Sequence, residues 1–162
     1  MGYKDFKKLV IGCGIQRHED AWNIDILKDS KADQVLNMLD GLPFDDESFS
    51  EIVADYVLCQ VHDNDKFIFA MNEIWRVLGK DGVLKLKVPN AKFPRAFTDP
   101  MDSRYFTPET FDYFNFEHYR YKAFHYGFKP WRILRIEPIH GGIVMINDRL
   151  YVEMQKYEDS LI

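Results

Sequence analysis

The sequence predicts an α/β fold built on a mostly parallel sheet, and three stretches predict it. Lys8-Leu9-Val10-Ile11-Gly12-Cys13-Gly14 opens as an apolar run, which suits a strand buried on both faces. It ends in Gly-Cys-Gly, where the backbone turns sharply and leaves room for a ligand to approach. Ala21-Trp22-Asn23-Ile24-Asp25-Ile26 is a second short strand with an acid near its end. A strand, a glycine turn and a strand ending in an acid make a nucleoside site, the carboxylate accepting from two ribose hydroxyls. Gly-x-Gly equally suits an ordinary turn. The third stretch is a helical pattern over Lys66 to Leu78 followed by a strand over Val83 to Val88.

The elements follow in order. Only Ile15 to Asp20 separate Gly14 from the second strand, whereas a parallel crossover usually takes a dozen or more residues. That connection is a turn or a single helical turn, and His18, Glu19 and Asp20 read as solvated loop. Gln34 to Met38 reads as a short third strand, and Asp40-Gly41 as a turn. Leu42 to Phe49 is a loop, broken by Pro43 and its acids. Glu51 to Leu58 is the fourth strand and its exit. Asn64 or Asp65 caps the helix, whose apolar positions Phe67, Ala70, Met71, Ile74, Val77 and Leu78 share one face. Gly79 to Gly82 ends it. Thr107-Pro108-Glu109 starts a helix running to about Phe116. Trp131 to Glu137 and Arg149 to Met154 alternate as strands, with turns at His140-Gly141-Gly142 and Asn147-Asp148. The tail from Lys156 is expected to fray.

Composition narrows the function. A chain of 162 residues suggests a single domain over 1–162. The net charge of −5 argues against wrapping nucleic acid or lying on an anionic membrane. Cys13 and Cys59 make neither a disulfide framework nor a metal site, and suit reduced thiols in a cytoplasmic protein. No stretch reaches the ~18 apolar residues of a membrane span.

Taken in order, several motifs resemble those of class I S-adenosylmethionine-dependent methyltransferases, in particular a small type 11-like group. They are Leu9 to Gly14; Trp22-Asn23-Ile24-Asp25-Ile26; Leu42-Pro43-Phe44-Asp45-Asp46-Glu47-Ser48-Phe49; Asn72 to Leu84, around Glu73, Arg76, Val77 and Leu78; and Asp99-Pro100 with Arg104-Tyr105-Phe106-Thr107-Pro108-Glu109. The resemblance implies a Rossmann-like three-layer sandwich of about seven strands with an antiparallel C-terminal strand and reduced N-terminal helices. It implies S-adenosylmethionine as cofactor. Gly12, Cys13 and Gly14 would hold its amino-acid end and ribose, and Asp25 and Ile26 would follow at the ribose. Asn37 would face the adenine amino group, and Met38 would donate from its backbone. Asp55 and Tyr56 leave the fourth strand at the ligand-binding edge. The sequence departs from the group's pattern at Gln16, Ser50, Cys59-Gln60 and Asp102, where relatives often show Gly, Asp, Glu-His and His.

Methyl transfer is an in-line displacement, so the protein chiefly positions the nucleophile, with a base where a proton must leave. Asp55, Tyr56 and His62 are the candidates for that chemistry, and Arg104 and Tyr105 for binding substrate. The expected acceptor is a small molecule or glycan-type compound. A second copy or another partner is expected to cover the cofactor site. The aromatic run from Tyr105 to Trp131 reads mainly as core, with some rings lining an acceptor pocket or dimer contact. Another reading is a degenerate methyltransferase fold acting as a cofactor-binding or interaction module. A dinucleotide-dependent oxidoreductase would want Gly-x-Gly-x-x-Gly opening a full helix, which is missing.

Overall fold

The computed structural model describes residues 2–139 and 148–158, the side chains of 118–121 excepted. Seven strands form one sheet: β1 (Lys8–Ile11), β2 (Trp22–Asp25), β3 (Gln34–Val35), β4 (Phe49–Asp55), β5 (Leu78–Pro89), β6 (Trp131–Ile139) and β7 (Arg149–Lys156). Their order is β3-β2-β1-β4-β5-β7-β6, and β7 alone runs against its neighbours. Strand order reverses direction at β1 and β4. A cleft opens beyond the carboxyl ends of strands at such a point, and ligands of open α/β sheets bind there.

Helix α1 (Asn64–Val77) begins earlier than its pattern suggests, because Asp63 accepts the Lys66 N–H at 2.8 Å as the cap. Its apolar stripe of Phe67, Ala70, Met71, Ile74 and Val77 is buried on the sheet. Leu78 enters β5 at once. Phe49 pairs with Leu78 and Glu51 with Val83, so residues 79–82 bulge out between those pairs, with Asp81 at φ 59°. The helix expected from Thr107 to Phe116 is two elements. A 3-10 helix spans Pro108–Tyr113; Asn115 then caps α2 (Phe116–Tyr126) by accepting the Glu117 N–H at 3.2 Å. The third strand stops at Val35 because the Asn37 side chain caps a 3-10 turn, Met38–Asp40. Lys156 does not fray. Its side chain is 2% exposed, its ammonium lies 4.1 Å from the Trp75 ring centroid, and it donates to the Leu78 carbonyl at 2.9 Å. The turns at His140-Gly141-Gly142 and Asn147 lie outside the described residues.

The two faces of the sheet differ. Leu9, Ile11, Ile24, Ile52, Ala54, Leu84, Leu86, Val152 and Met154 point to one face and form the main core with α1. Phe106, Phe111, Phe114 and Trp131 join that core, so much of the aromatic segment is packing. The opposite face holds a small cluster of Val10, Cys13 and Ala21, with Ala32 and Val53 against it. Beyond that cluster it carries cross-strand ion pairs: Lys8–Glu51 at 3.6 Å, Lys85–Glu51 at 2.6 Å and Lys87–Asp55 at 2.6 Å. Among the described residues, this layer consists of loops 12–21 and 26–33.

Arg76 fixes the loop that follows β3. Its guanidinium donates to the carbonyls of Leu42 and Phe44, to Asp46 and to both oxygens of Glu73, at 2.7–2.8 Å. Glu73 Oε2 also accepts the Leu42 N–H at 2.9 Å. The two motifs met separately in the sequence are therefore one clamp. Removing the guanidinium leaves a half-buried carboxylate and two carbonyls without their donor. Arg76→Ala should cost about 2–3 kcal/mol in urea unfolding. Arg76 holds the Glu73 carboxyl below its usual range, chiefly through these hydrogen bonds. A depressed carboxyl stabilises the fold above its unfolded pKa, and that contribution is lost as pH falls through the folded value. Arg76→Ala should therefore flatten the stability–pH curve below about pH 4.5.

Candidate functional site

A cavity of about 340 Å³ opens at the carboxyl ends of β1, β2 and β4. Gly12, Asp25, Ile26, Leu36, Asn37, Met38, Asp55 and Tyr56 are among its lining residues. Its volume falls in the range of small-molecule sites, roughly 300–1,000 Å³. Asp25, 6% exposed, accepts from the Gly14 N–H at 2.7 Å and the Leu27 N–H at 2.8 Å, one on each carboxylate oxygen. This ties the glycine turn to the end of β2. A carboxylate offers about four acceptor positions, so each oxygen keeps one for a ligand hydroxyl.

The glycines serve different ends. Gly12 has φ +74°, and a Cβ there would overlap the Val57 side chain, so a protein neighbour as well as backbone conformation demands glycine. Gly14 has φ +56° and only open space where its Cβ would be. Cys13 is buried in the small cluster on the opposite face. Burial, then the charge of Asp25, pushes its thiol pKa up. Ile26, Leu27, Leu36, Met38, Leu39 and Val61 give the cavity an apolar lining suited to a flat heterocycle. The Asn37 oxygen, expected to face such a ring, accepts the Leu39 N–H at 3.0 Å. Its amide N–H groups donate to none of the described residues.

The other candidates divide. Asp55 is held by Lys87 at 2.6 Å. Tyr56 has φ 58°, unusual for a bulky residue, and its buried hydroxyl has no hydrogen-bond partner among the described residues. Burial pushes its pKa up. His62 is exposed and outside the cavity lining. Arg104 and Tyr105 line a separate aromatic cavity of about 490 Å³ with Phe67, Tyr113 and Tyr126. The Arg104 guanidinium stacks 4.0 Å from the Phe67 ring centroid and donates to the Val61 carbonyl and to Asn64. The structure brings neither Arg104 nor Tyr105 to the cavity of Asp25.

Sequence reasoning missed a second polar cavity of about 220 Å³, which shares Tyr56 and Gln60 with the first. Pro89, Arg95, Thr98, Asp99, Asp102, Asp148 and Arg149 complete it. These residues come from three distant segments, so no local spacing marks them. The one signal was the set of departures that included Gln60 and Asp102.

Residues 20–86 match the family model described as a methyltransferase domain. This part of the chain is similar to a methyltransferase domain. The matched span includes Asp25, Asn37, Asp55 and Tyr56 but begins after the glycine turn. No curated protein matches the chain. Its fold is similar to that of a SAM-dependent methyltransferase from Thermotoga maritima (17% identity, TM-score 0.63, 93% of this chain and 82% of that one). It is also similar to the N-methyltransferase NodS of Bradyrhizobium japonicum in complex with S-adenosyl-L-homocysteine (14%, TM-score 0.66, 94% and 79%). A chain from the Haloferax volcanii complex of the Trm112 methyltransferase activator with a methyltransferase is similar over 93% of this chain and 82% of that one (12%, TM-score 0.67). Among the described residues, no helix is long and apolar enough to cross a membrane, and no group of His, Cys, Asp and Glu could hold a metal.

The geometry at Gly12 generates a paired test. Gly12→Ala should destabilise the fold by about 1–3 kcal/mol through strain and overlap with Val57. Val57→Ala in the same chain should recover the overlap part and leave the conformational part. Additive losses in denaturant unfolding would overturn the contact explanation.

Proposed function

We propose that this methyltransferase domain binds S-adenosylmethionine in the cavity of Asp25 and transfers its methyl group to an acceptor in the adjoining polar cavity, with residues 1–162 acting as one domain. The observation that carries the reading is the junction: two cavities, one with an apolar slot and a buried carboxylate, the other polar, meet at Tyr56 and Gln60. Asp25 would take the ribose hydroxyls on its remaining lone pairs. Ile26 and Met38 would flank the adenine, and Asn37 would donate to it from its amide nitrogen. Gly12 and Gly14 would let the amino-acid end lie against backbone. The cofactor supplies a methyl group on a sulfonium, already activated for displacement.

The chain's own part is positioning. Tyr56 stands where acceptor and cofactor would meet. Its raised pKa keeps the phenol protonated, so it orients the acceptor by hydrogen bonding. The salt bridge of Asp55 to Lys87 gives that carboxylate a structural partner, and the exposed position of His62 leaves no base at the junction from that residue. The acceptor in this reading is a small molecule, or the end unit of a glycan-type compound, sized to about 220 Å³. Buried free thiols at Cys13 and Cys59 suit the cytoplasm. Ile15, Ile26 and Leu27, 85%, 63% and 56% exposed, leave an apolar rim by the cofactor cavity. The rim supports cover by a second protein surface, and the Haloferax methyltransferase is recorded with an activator. The engagement of Asp55 by Lys87 and the position of His62 outside the cavity favour a second reading, a domain that binds the cofactor without catalysis.

Calorimetry with S-adenosylmethionine and S-adenosylhomocysteine is the test. Micromolar binding is expected, and none up to millimolar concentration would overturn the reading. Asp25→Ala should lose at least about 100-fold in affinity. It should also lower the melting temperature, because two backbone N–H groups lose their acceptor. Unchanged affinity would remove Asp25 from the site. Single-turnover methyl transfer to any acceptor would exclude binding without catalysis.

A further inference from the structure

The polar cavity beside the cofactor site contains three carboxylates, Asp99, Asp102 and Asp148, and two guanidiniums, Arg95 and Arg149. We propose that it selects a small molecule carrying a protonated amine, recognised by Asp102 together with Asp148. This rests on the reading of the cavity as the acceptor site.

The distribution of charge carries the argument. Both arginines face Asp148: Arg95 Nε lies 3.2 Å from Oδ2, and Arg149 Nε lies 3.9 Å from Oδ1. Arg149 also stands over the Tyr56 ring, 5.4 Å from its centroid. No basic side chain among the described residues pairs with Asp99 or Asp102. Asp99 is exposed and accepts the Met101 N–H at 2.9 Å. Asp102 is more enclosed, and its charge lacks a counter-ion. The Cys59 thiol lies beside it; burial and then that contact raise the thiol's pKa, so Cys59 stays neutral and gives Asp102 no cation.

Unpartnered atoms point the same way. Asp102 Oδ1, Asp148 Oδ1 and the Tyr56 hydroxyl are buried without hydrogen-bond partners, and all three residues line this cavity. Asp148 as a whole is 3% exposed. Buried polar atoms left unpaired are costly, so a ligand that satisfies them gains most. Two are carboxylate oxygens, which only accept. The complementary ligand therefore brings several N–H donors and a positive charge, as an ammonium does. A carboxylate ligand would meet an excess of negative charge. A neutral alcohol would offer one donor to two acceptors. The ammonium is the handle by which the acceptor is held.

The test is an NMR-monitored titration of the whole protein, with and without saturating S-adenosylhomocysteine, using butylamine, butanol and butyrate. These probes differ in charge and donors at similar size. Butylamine should bind at least about tenfold more tightly than butanol, and butyrate more weakly than both. Asp102→Asn should weaken butylamine about tenfold and leave the affinity for S-adenosylhomocysteine within about twofold. Equal binding of butylamine and butanol, a preference for butyrate, or an Asp102→Asn protein that binds butylamine normally would overturn the proposal. The probe series on the unaltered protein decides even if the variant does not fold. Failure of S-adenosylhomocysteine to bind, with the amine preference intact, would sink the cofactor reading alone.

Discussion

The connection between β1 and β2 is ten residues long and contains no helix, and much of the molecule follows from that constraint. Two adjacent parallel strands require the chain to travel back along their length. Four residues of strand span about 13 Å, a distance that ten residues of irregular chain can cover. The crossover is thus short enough to return but too short to lay a helix over the sheet. The glycine turn then has no helix behind it to fix its position. The Asp25 carboxylate takes that task, holding the Gly14 N–H with one oxygen and the Leu27 N–H with the other. A residue that would serve a ligand is also the anchor of the turn that would receive it.

The second consequence is the open face. A sheet stripped of one helical layer would expose apolar side chains if its strands were hydrophobic throughout. Here β5 alternates, with Leu84, Leu86 and Val88 toward the core and Lys85 and Lys87 away from it. Glu51 and Asp55 on β4 meet those lysines across the strands. Such half-exposed pairs contribute little stability individually. Their effect is to let that face stand in water without another apolar surface. This alternation was visible in the sequence, yet the apolar run of β1 suggested burial on both sides. β1 sits over the small cluster of Val10, Cys13 and Ala21, and reports only the covered part of the sheet.

Legibility followed locality. The strands, α1 and the positions of Asp25 and Tyr56 came from short-range patterns. Elements whose ends depend on a single side chain were misplaced. Asn37 stops the third strand, Asp63 starts α1 at Asn64 rather than Lys66, and Asn115 divides the aromatic segment. The Glu73–Arg76 pair and the Leu42-Pro43-Phe44 loop were read as separate motifs because the hydrogen bonds joining them cross about 30 residues. The polar cavity was the least legible part. Arg95, Asp102 and Asp148 converge only through tertiary folding. Asp102 entered the sequence argument as a departure from the expected histidine, a signal with no direction until its neighbours were known.

The junction of the two cavities depends on one residue of β5. Tyr56 occupies a left-handed conformation that a bulky side chain adopts at a cost of order 1–3 kcal/mol. Such strain persists only where surrounding structure over-determines it. The Lys87 carbonyl accepts the Tyr56 N–H at 2.8 Å, and the Lys87 ammonium holds Asp55 at 2.6 Å. Two successive residues at the exit of β4 are thereby fixed by the same neighbour, one through backbone and one through side chain. This arrangement turns the Tyr56 ring toward Arg149, and Tyr56 lines both cavities. In the proposed site Asp55 would act through another group, by positioning the strand exit that presents Tyr56. The same contact connects the open charged face to the candidate site, since Lys87 belongs to both.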